Sequence, residues 1–234
     1  MKIGIMQPYF LPYIGYFQLI NSVDKFVIYD DVQYIKRGWI NKNKMLVNNN
    51  ATNFILSIKN DSYDLNINER CFSDNLEVEI KKLLKGIERA YKKAPYFNQV
   101  IPLIIKIFNY DTNKNISNFI FNSLEIVSNY IGIETELIKS SKIEKYKELK
   151  GQTKIIDIVK RVRGDTYINS IGGVKLYSKD IFKENDIKLK FIKSNNIEYK
   201  QFNEKFIPNL SILDVLMFNS AEKVKEFLDE YELL

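Results

Sequence analysis

Two adjacent carboxylates, Asp30 and Asp31, close the apolar run "KFVIYDD" and are the residues of this sequence best placed to move a proton. A carboxylate at a strand end can take the proton of an amine while the amine attacks an acyl donor, and it needs no histidine to do so. The chain has no histidine at all. Neighbouring strand residues face opposite sides, so one of the pair is expected to point into a ligand crevice as general base. The competing reading has both aspartates cap a turn by accepting backbone N–H groups.

Three further stretches carry groups suited to a ligand. In "QPYFLPYIGYF", Pro8 and Pro12 stiffen a turn, Gly15 permits close backbone approach, and Tyr9, Phe10, Tyr13, Tyr16 and Phe17 offer ring faces and hydroxyls, with Gln7, Tyr13 and Tyr16 favoured as the ligand contacts. Such a platform at a helix start suits a base or sugar ring, with the helix amides near phosphate. Phe10, Ile14, Phe17 and Ile20 in the same stretch have the spacing of core residues. In "YIKRGWINKNK", Tyr34, Lys36, Arg37, Trp39 and Asn41 can stack on a ring and pair with a diphosphate, although Trp39 could equally pack into the core. In "NSIGG", Asn169, Ser170, Gly172 and Gly173 can turn backbone amides toward phosphate or an oxyanion; a tight turn that needs glycine is the alternative. Ser211 and Asp214 match a capping pattern. Cys71 has no histidine partner and reads as a passive thiol, and no Cys/His cluster with metal-ligand spacing exists.

The elements that must hold these groups follow from patterning. "KIGIM" is a short buried strand, residues 13–23 carry a helical apolar face, and residues 25–31 form a second buried strand. This βαβ unit implies a parallel sheet with a right-handed crossover. A strand is expected at 52–59. Helices are expected at 75–94, with Asn75 as N-cap and Pro95 as stop, at 100–109 and at 116–130. Beyond them come a strand in "ETELIKSS", a helix at 153–164 closed by its glycine, a strand at 165–173, a helix in "SKDIFKEND" and a last strand in "IKLKFI". The expected fold is α/β: a Rossmann-like parallel sheet within one domain, 1–234, with residues 75–130 as a helical cap or side layer and a C-terminal helical appendage. Strand ends in such a sheet border the ligand crevice, and the quoted stretches fall there.

A chain of 234 residues, 45% hydrophobic and 27% charged, has the composition of a folded globular protein. Its net charge of +6 comes from lysines dispersed along the chain, which argues against a nucleic-acid partner. The single cysteine excludes an internal disulfide framework. No run approaches the roughly 18 apolar residues of a membrane span, and the opening strand lacks the features of a leader. A cytoplasmic protein with no membrane partner is expected.

"QPYFLPYIGYF" followed by "VDKFVIYDDVQYIKRGWINKNK" resembles the WbqC-like family, found among bacterial genes for surface polysaccharides such as O-antigen and capsule. The likeness continues in "AYKKAPYF", "YIGI", "TYINSIGGVKLY" and "FIPNLSILDVL". Where relatives often end the fifth strand with a serine-glycine pair, Ile171 here separates the two. The resemblance implies a transferase that forms the amide of a nucleotide-linked amino sugar by acyl or aminoacyl transfer, without a cofactor, its donor an acyl or aminoacyl carrier protein or an acyl phosphate. One alternative is a non-catalytic module that holds an intermediate of the same pathway. Another is an ATP-using ligase or nucleotidylyltransferase-like enzyme: "YIGY" is similar in position to the HxGH motif, with tyrosines for both histidines, and Lys36 or Arg37 would then meet phosphate.

Overall fold

The computed structural model describes every residue except Arg37, Asp111, Thr112 and Lys147. In chain order the elements are β1 (Lys2–Met6), α1 (Ile14–Asn21), β2 (Lys25–Ile28), β3 (Lys42–Val47), β4 (Asn50–Ile55), α2 (Leu76–Tyr91), α3 (Phe97–Phe108) and α4 (Ile116–Tyr130). There follow β5 (Glu136–Lys139), α5 (Gly151–Arg161), β6 (Thr166–Ser170), α6 (Lys179–Glu184), β7 (Lys188–Ser194), α7 (Ile212–Phe218), α8 (Ala221–Phe227) and β8 (Tyr231–Leu233). Short 3-10 helices lie at Ile67–Glu69, Ser140–Lys142 and Ile171–Leu176.

The central sheet has the order β5-β2-β1-β6-β7-β8. β1 is parallel to β2 and β6, β2 to β5, and β6 to β7, while β8 joins β7 antiparallel. This is a Rossmann-like α/β fold. From β1 the chain first builds toward β2 and β5, then crosses back to place β6 on the other side of β1. Strand order therefore reverses between β1 and β6, and a crevice opens beyond the carboxyl ends at such a reversal.

Strand periodicity sorts the apolar residues onto two faces. Ile3 and Ile5, Val27, Tyr167, Leu189 and Phe191 pack against Ile155, Ile158 and Val159 of α5 and Phe182 of α6. The alternate positions Phe26, Ile28, Ile168 and Ile192 meet Tyr16, Phe17 and Ile20 of α1 in a larger cluster that also takes in α2–α4, α7, α8 and the β3–β4 hairpin. Each fully buried side chain of this size contributes about 1.5–3 kcal/mol. In α2 the buried residues Leu76, Leu83, Ile87 and Tyr91 recur at helical spacing, and Glu77 and Glu79 in the first turn suit the positive end of the dipole. Among the described residues no helix is long and apolar enough to cross a membrane.

Several boundaries differ from the sequence reading, each for a local reason. The strand expected at 52–59 is β4, which ends at Ile55 and pairs antiparallel with β3 outside the main sheet. Asn48 and Asn49 link the two strands with φ of 47° and 60°, the backbone of a type I′ turn that asparagine tolerates. Asn75 precedes α2 without a side-chain capping bond. The helix expected to close on Gly164 ends instead with Arg163 in the left-handed region, φ 63°. Gly164 is required by packing, because a Cβ there would lie 2.3 Å from Ile3 Cγ1. The strand at 165–173 stops at Ser170, and "IGGVKL" forms a 3-10 helix. The C-terminal segment is not wholly helical, since it returns as β8 to cover the edge of β7.

Candidate functional site

The aromatic turn after β1 is fastened from three directions. Leu11 adopts φ 41°, a strained conformation for a leucine, so the surrounding bonds must hold it. Asn43 of β3 donates from Nδ2 to the carbonyls of Phe10 (3.0 Å) and Leu11 (2.8 Å). Ser211 donates from Oγ to the Leu11 carbonyl at 2.7 Å, and the Ile212 amide donates to the Pro12 carbonyl at 2.8 Å. The Phe10 amide donates to the Trp39 carbonyl at 3.2 Å. Within the turn Phe10 and Leu11 point into the core, leaving Gln7, Tyr9 and Tyr13 on the cleft side.

Gly15 acts through Tyr13. A Cβ on residue 15 would fall 2.4 Å from Tyr13 Cε2, so the missing side chain lets the tyrosine ring lie over the first turn of α1. Tyr16, expected to face a ligand, is fully buried, and its hydroxyl donates to the Gln7 carbonyl at 2.8 Å. Helical phase accounts for this: with Phe17 and Ile20 against the sheet, Tyr16 packs on Phe26 at 5.4 Å between centroids.

Neighbouring cavities that share lining residues follow the carboxyl edge of the sheet. Between the ends of β1 and β6 lies a crevice of about 480 Å³, bordered by Gln7, Tyr9, Asn169, Ser170, Gly172 and Gly173. It shares Met6, Tyr9 and Ser170 with a cavity of about 350 Å³ walled by Tyr9, Tyr13 and Trp39 and reached by Lys44. Tyr13 and Asn209 also border a third cavity, about 540 Å³, beside Tyr199 and Phe206. Lys42 and Lys44 each carry their ammonium 5.8 Å from the Trp39 ring. Burial raises the pKa of Tyr9, and burial together with the Tyr9 hydroxyl raises that of Tyr13, so both remain neutral donors.

The aspartates occupy other ground. Asp30 is buried, 1% exposed, and its carboxylate accepts from Ser117 Oγ (2.7 Å), Ser141 Oγ (2.9 Å) and the Ser141 amide (2.9 Å). It ties α4 and the segment after β5 to the end of β2. Asp31 opens onto a separate crevice of about 640 Å³, where its Oδ2 pairs with Lys145 (2.9 Å) and Lys154 (3.2 Å). Burial disfavours its charge, but the Ser140 hydroxyl and the two ammonium groups outweigh that and lower its pKa. Lys154 also lies 5.1 Å from the centroid of Tyr29, whose ring borders the neighbouring crevice. The two carboxylates do face different ground, although β2 ends at Ile28 and the Asp30 amide turns back to the Ile28 carbonyl, and both are engaged.

The basic loop divides in a similar way. Trp39 is 41% exposed and faces the cavity. Tyr34 donates its hydroxyl to Asn41 Oδ1 (3.0 Å) beneath the Arg70 guanidinium, and Asn41 Nδ2 donates to the Leu56 carbonyl (2.8 Å), so these two brace the hairpin. Lys36 reaches the Tyr63 hydroxyl at 2.9 Å, away from the cavity. Arg37 lies outside the described residues. Ser211 caps α7, accepting from the Leu213 amide at 3.2 Å, but Asp214 completes no capping box. Buried at 0% exposure, Asp214 accepts from Tyr91 (2.8 Å), Tyr199 (2.7 Å) and Gln201 (2.8 Å), and burial raises its pKa despite these donors. Tyr9, one of the ring faces expected of the opening turn, borders both cavities; sequence reasoning missed Lys44 and Asn209 as cavity residues, and the "NKNK" alternation that aims Lys42 and Lys44 to one side of β3 was the available signal for the lysine. Among the described residues no group of three histidine, cysteine or acidic side chains is arranged to hold a metal ion.

Sheet and cleft together define an α/β protein with cavities along the carboxyl edge of a mostly parallel sheet. The chain belongs to the WbqC-like protein family, matched over residues 7–226. It is 26% identical over 230 residues, 97% of each chain, to the uncharacterized protein Rv1507c of Mycobacterium tuberculosis. No solved structure gives a significant match.

Proposed function

We propose that the protein binds a nucleotide-linked amino sugar in the cleft between the ends of β1 and β6 and serves surface-polysaccharide assembly, accepting an acyl or aminoacyl group on the sugar amine. The observation that carries this reading is an aromatic cavity, walled by Tyr9, Tyr13 and Trp39, set against a crevice whose polar lining is amides and hydroxyls, the two sharing Met6, Tyr9 and Ser170. Planar rings and sugars are held by such faces and neutral polar groups. Among the described residues the crevice lining carries no charged side chain. An amine placed there has no counter-ion, which favours its neutral, nucleophilic form.

Calorimetric titration with UDP- or dTDP-linked 3-amino and 4-amino sugars is expected to show binding, weakened by about 1–3 kcal/mol in Tyr13→Ala. ATP is expected to bind less well; preferential ATP binding would support the ligase reading instead. A second reading, a non-catalytic module holding the same ligand, is favoured by the engagement of Asp30 and Asp31, which leaves neither as a free base. Mass spectrometry of the amino sugar incubated with an acyl-loaded carrier protein separates the two, because a module leaves the amine unmodified.

A further inference from the structure

The cleft changes chemical character along its length, and that gradient orients a ligand. At the Trp39 end, Lys44 borders the cavity, Lys42 stands equally near the ring, and among the described residues the lining holds no carboxylate. A planar group with adjoining negative charge matches this end: the ring stacks on Trp39 or Tyr13, and ammonium groups meet the charge. At the β6 end the lining is uncharged, with the Gln7 amide, the Tyr177 ring and Asn169 facing the same space. Asn169 is 5% exposed, and its Oδ1 accepts from the Ser170 amide at 2.7 Å, which leaves its NH2 to serve the crevice. Neutral amides beside an aromatic face are what a sugar ring requires, whereas a diphosphate would gain no cation there. Ser170, shared by both spaces, marks the junction.

Resting on the nucleotide-sugar reading above, we infer that the ligand lies in one direction: the nucleoside diphosphate fills the Trp39–Lys44 cavity, and the sugar extends past Ser170 into the Gln7–Asn169 crevice. Trp39 and Lys44 then recognise the nucleotide whatever sugar it carries. Gln7 and Asn169 select the sugar and are indifferent to a nucleotide alone.

The test compares UDP with a UDP-linked 4-amino sugar, or the dTDP pair, by calorimetry on four variants. Trp39→Ala and Lys44→Ala are expected to weaken both ligands of a pair by about tenfold or more. Gln7→Ala is expected to weaken the sugar conjugate by about tenfold and leave the free nucleotide unchanged. Asn169→Ala should repeat that pattern; should it fail to fold, Gln7→Ala carries the test, since the Gln7 side chain borders the crevice without belonging to the core. The reverse pattern, with free UDP lost in Gln7→Ala and retained in Lys44→Ala, would overturn the orientation while the nucleotide-sugar reading stands. Equal loss of both ligands in all variants would also overturn it. Absence of binding by any conjugate to the unaltered protein would remove the functional reading and the orientation with it.

Discussion

Asp31 shows how a residue chosen for its reactivity can be taken up by charge balance. One carboxylate serves two largely buried ammonium groups, so its removal leaves Lys145 and Lys154 without their counter-ion. Asp31→Asn is therefore expected to destabilise the protein by about 3 kcal/mol at neutral pH in urea unfolding. The pH dependence has a defined sign. Because folding lowers the Asp31 pKa below its ordinary 3.8, the stabilisation is fully present above that value and is lost as pH falls through the folded value. The stability difference between the unaltered protein and Asp31→Asn should thus shrink on acidification below about pH 4. A constant difference down to pH 2 would show that the ion pairs contribute nothing. Asp30 is bound still more closely, by Ser117 and Ser141.

At the scale of elements, the site depends on the fit between the opening turn and α1. Tyr13 is the residue preceding the helix, and the space above Gly15 holds its ring. Gly15→Ala should preserve the helix, since alanine is the better helix former, yet push Tyr13 from its place. The expected result is a melting temperature within a few degrees of the unaltered protein and ligand affinity reduced about as much as in Tyr13→Ala. Unchanged affinity would show that the ring position is not set by this contact. The β3–β4 hairpin supplies the second half of the fit through Asn43, whose two hydrogen bonds hold Phe10 and Leu11 in a strained turn. Its short Asn48-Asn49 turn fixes the register that brings Asn43 inward while Lys44 borders the cavity and Lys42 lies near the Trp39 ring.

For the whole molecule, the outer strands decide which sheet edge stays open to further pairing. β8 covers β7 through reciprocal bonds between Phe191 and Leu234, 3.0 and 2.9 Å, and Asn195 donates to the Glu230 carbonyl at 2.9 Å. Deleting residues 231–234 would expose the β7 edge along its carboxyl half. Light scattering is expected to show concentration-dependent association of the truncated chain, with stability lower by about 1–3 kcal/mol. A truncated chain that stays as dispersed and as stable as the parent would show that the edge needs no cover.

Local pattern was sufficient for much of this protein. Two uninterrupted apolar runs flanking a helical face mark β1-α1-β2 as a parallel unit, and helical spacing with polar starts marks α2, α3 and α4. The parallel unit also places a crevice beyond the end of β1; Gln7, Ser170 and Gly172 border a cavity there, and Tyr13 and Trp39 border the one beside it. Tertiary structure decided which neighbouring groups face the cleft and which are absorbed by the core. Tyr13 and Tyr16 are alike in sequence, but the packing phase of α1 sends one to the cavity and buries the other. Asp30 and Asp31 were legible as a strand-end pair, whereas their partners Ser117, Ser141, Lys145 and Lys154 arrive from α4, α5 and the segment between β5 and α5. Leu11 is held by Ser211, 200 residues further along the chain. Helix and strand preferences arise from neighbours within a few residues and can be read in order. Contacts closed across such a distance depend on sheet order and on every packed layer between, so they exist only once the whole chain has folded.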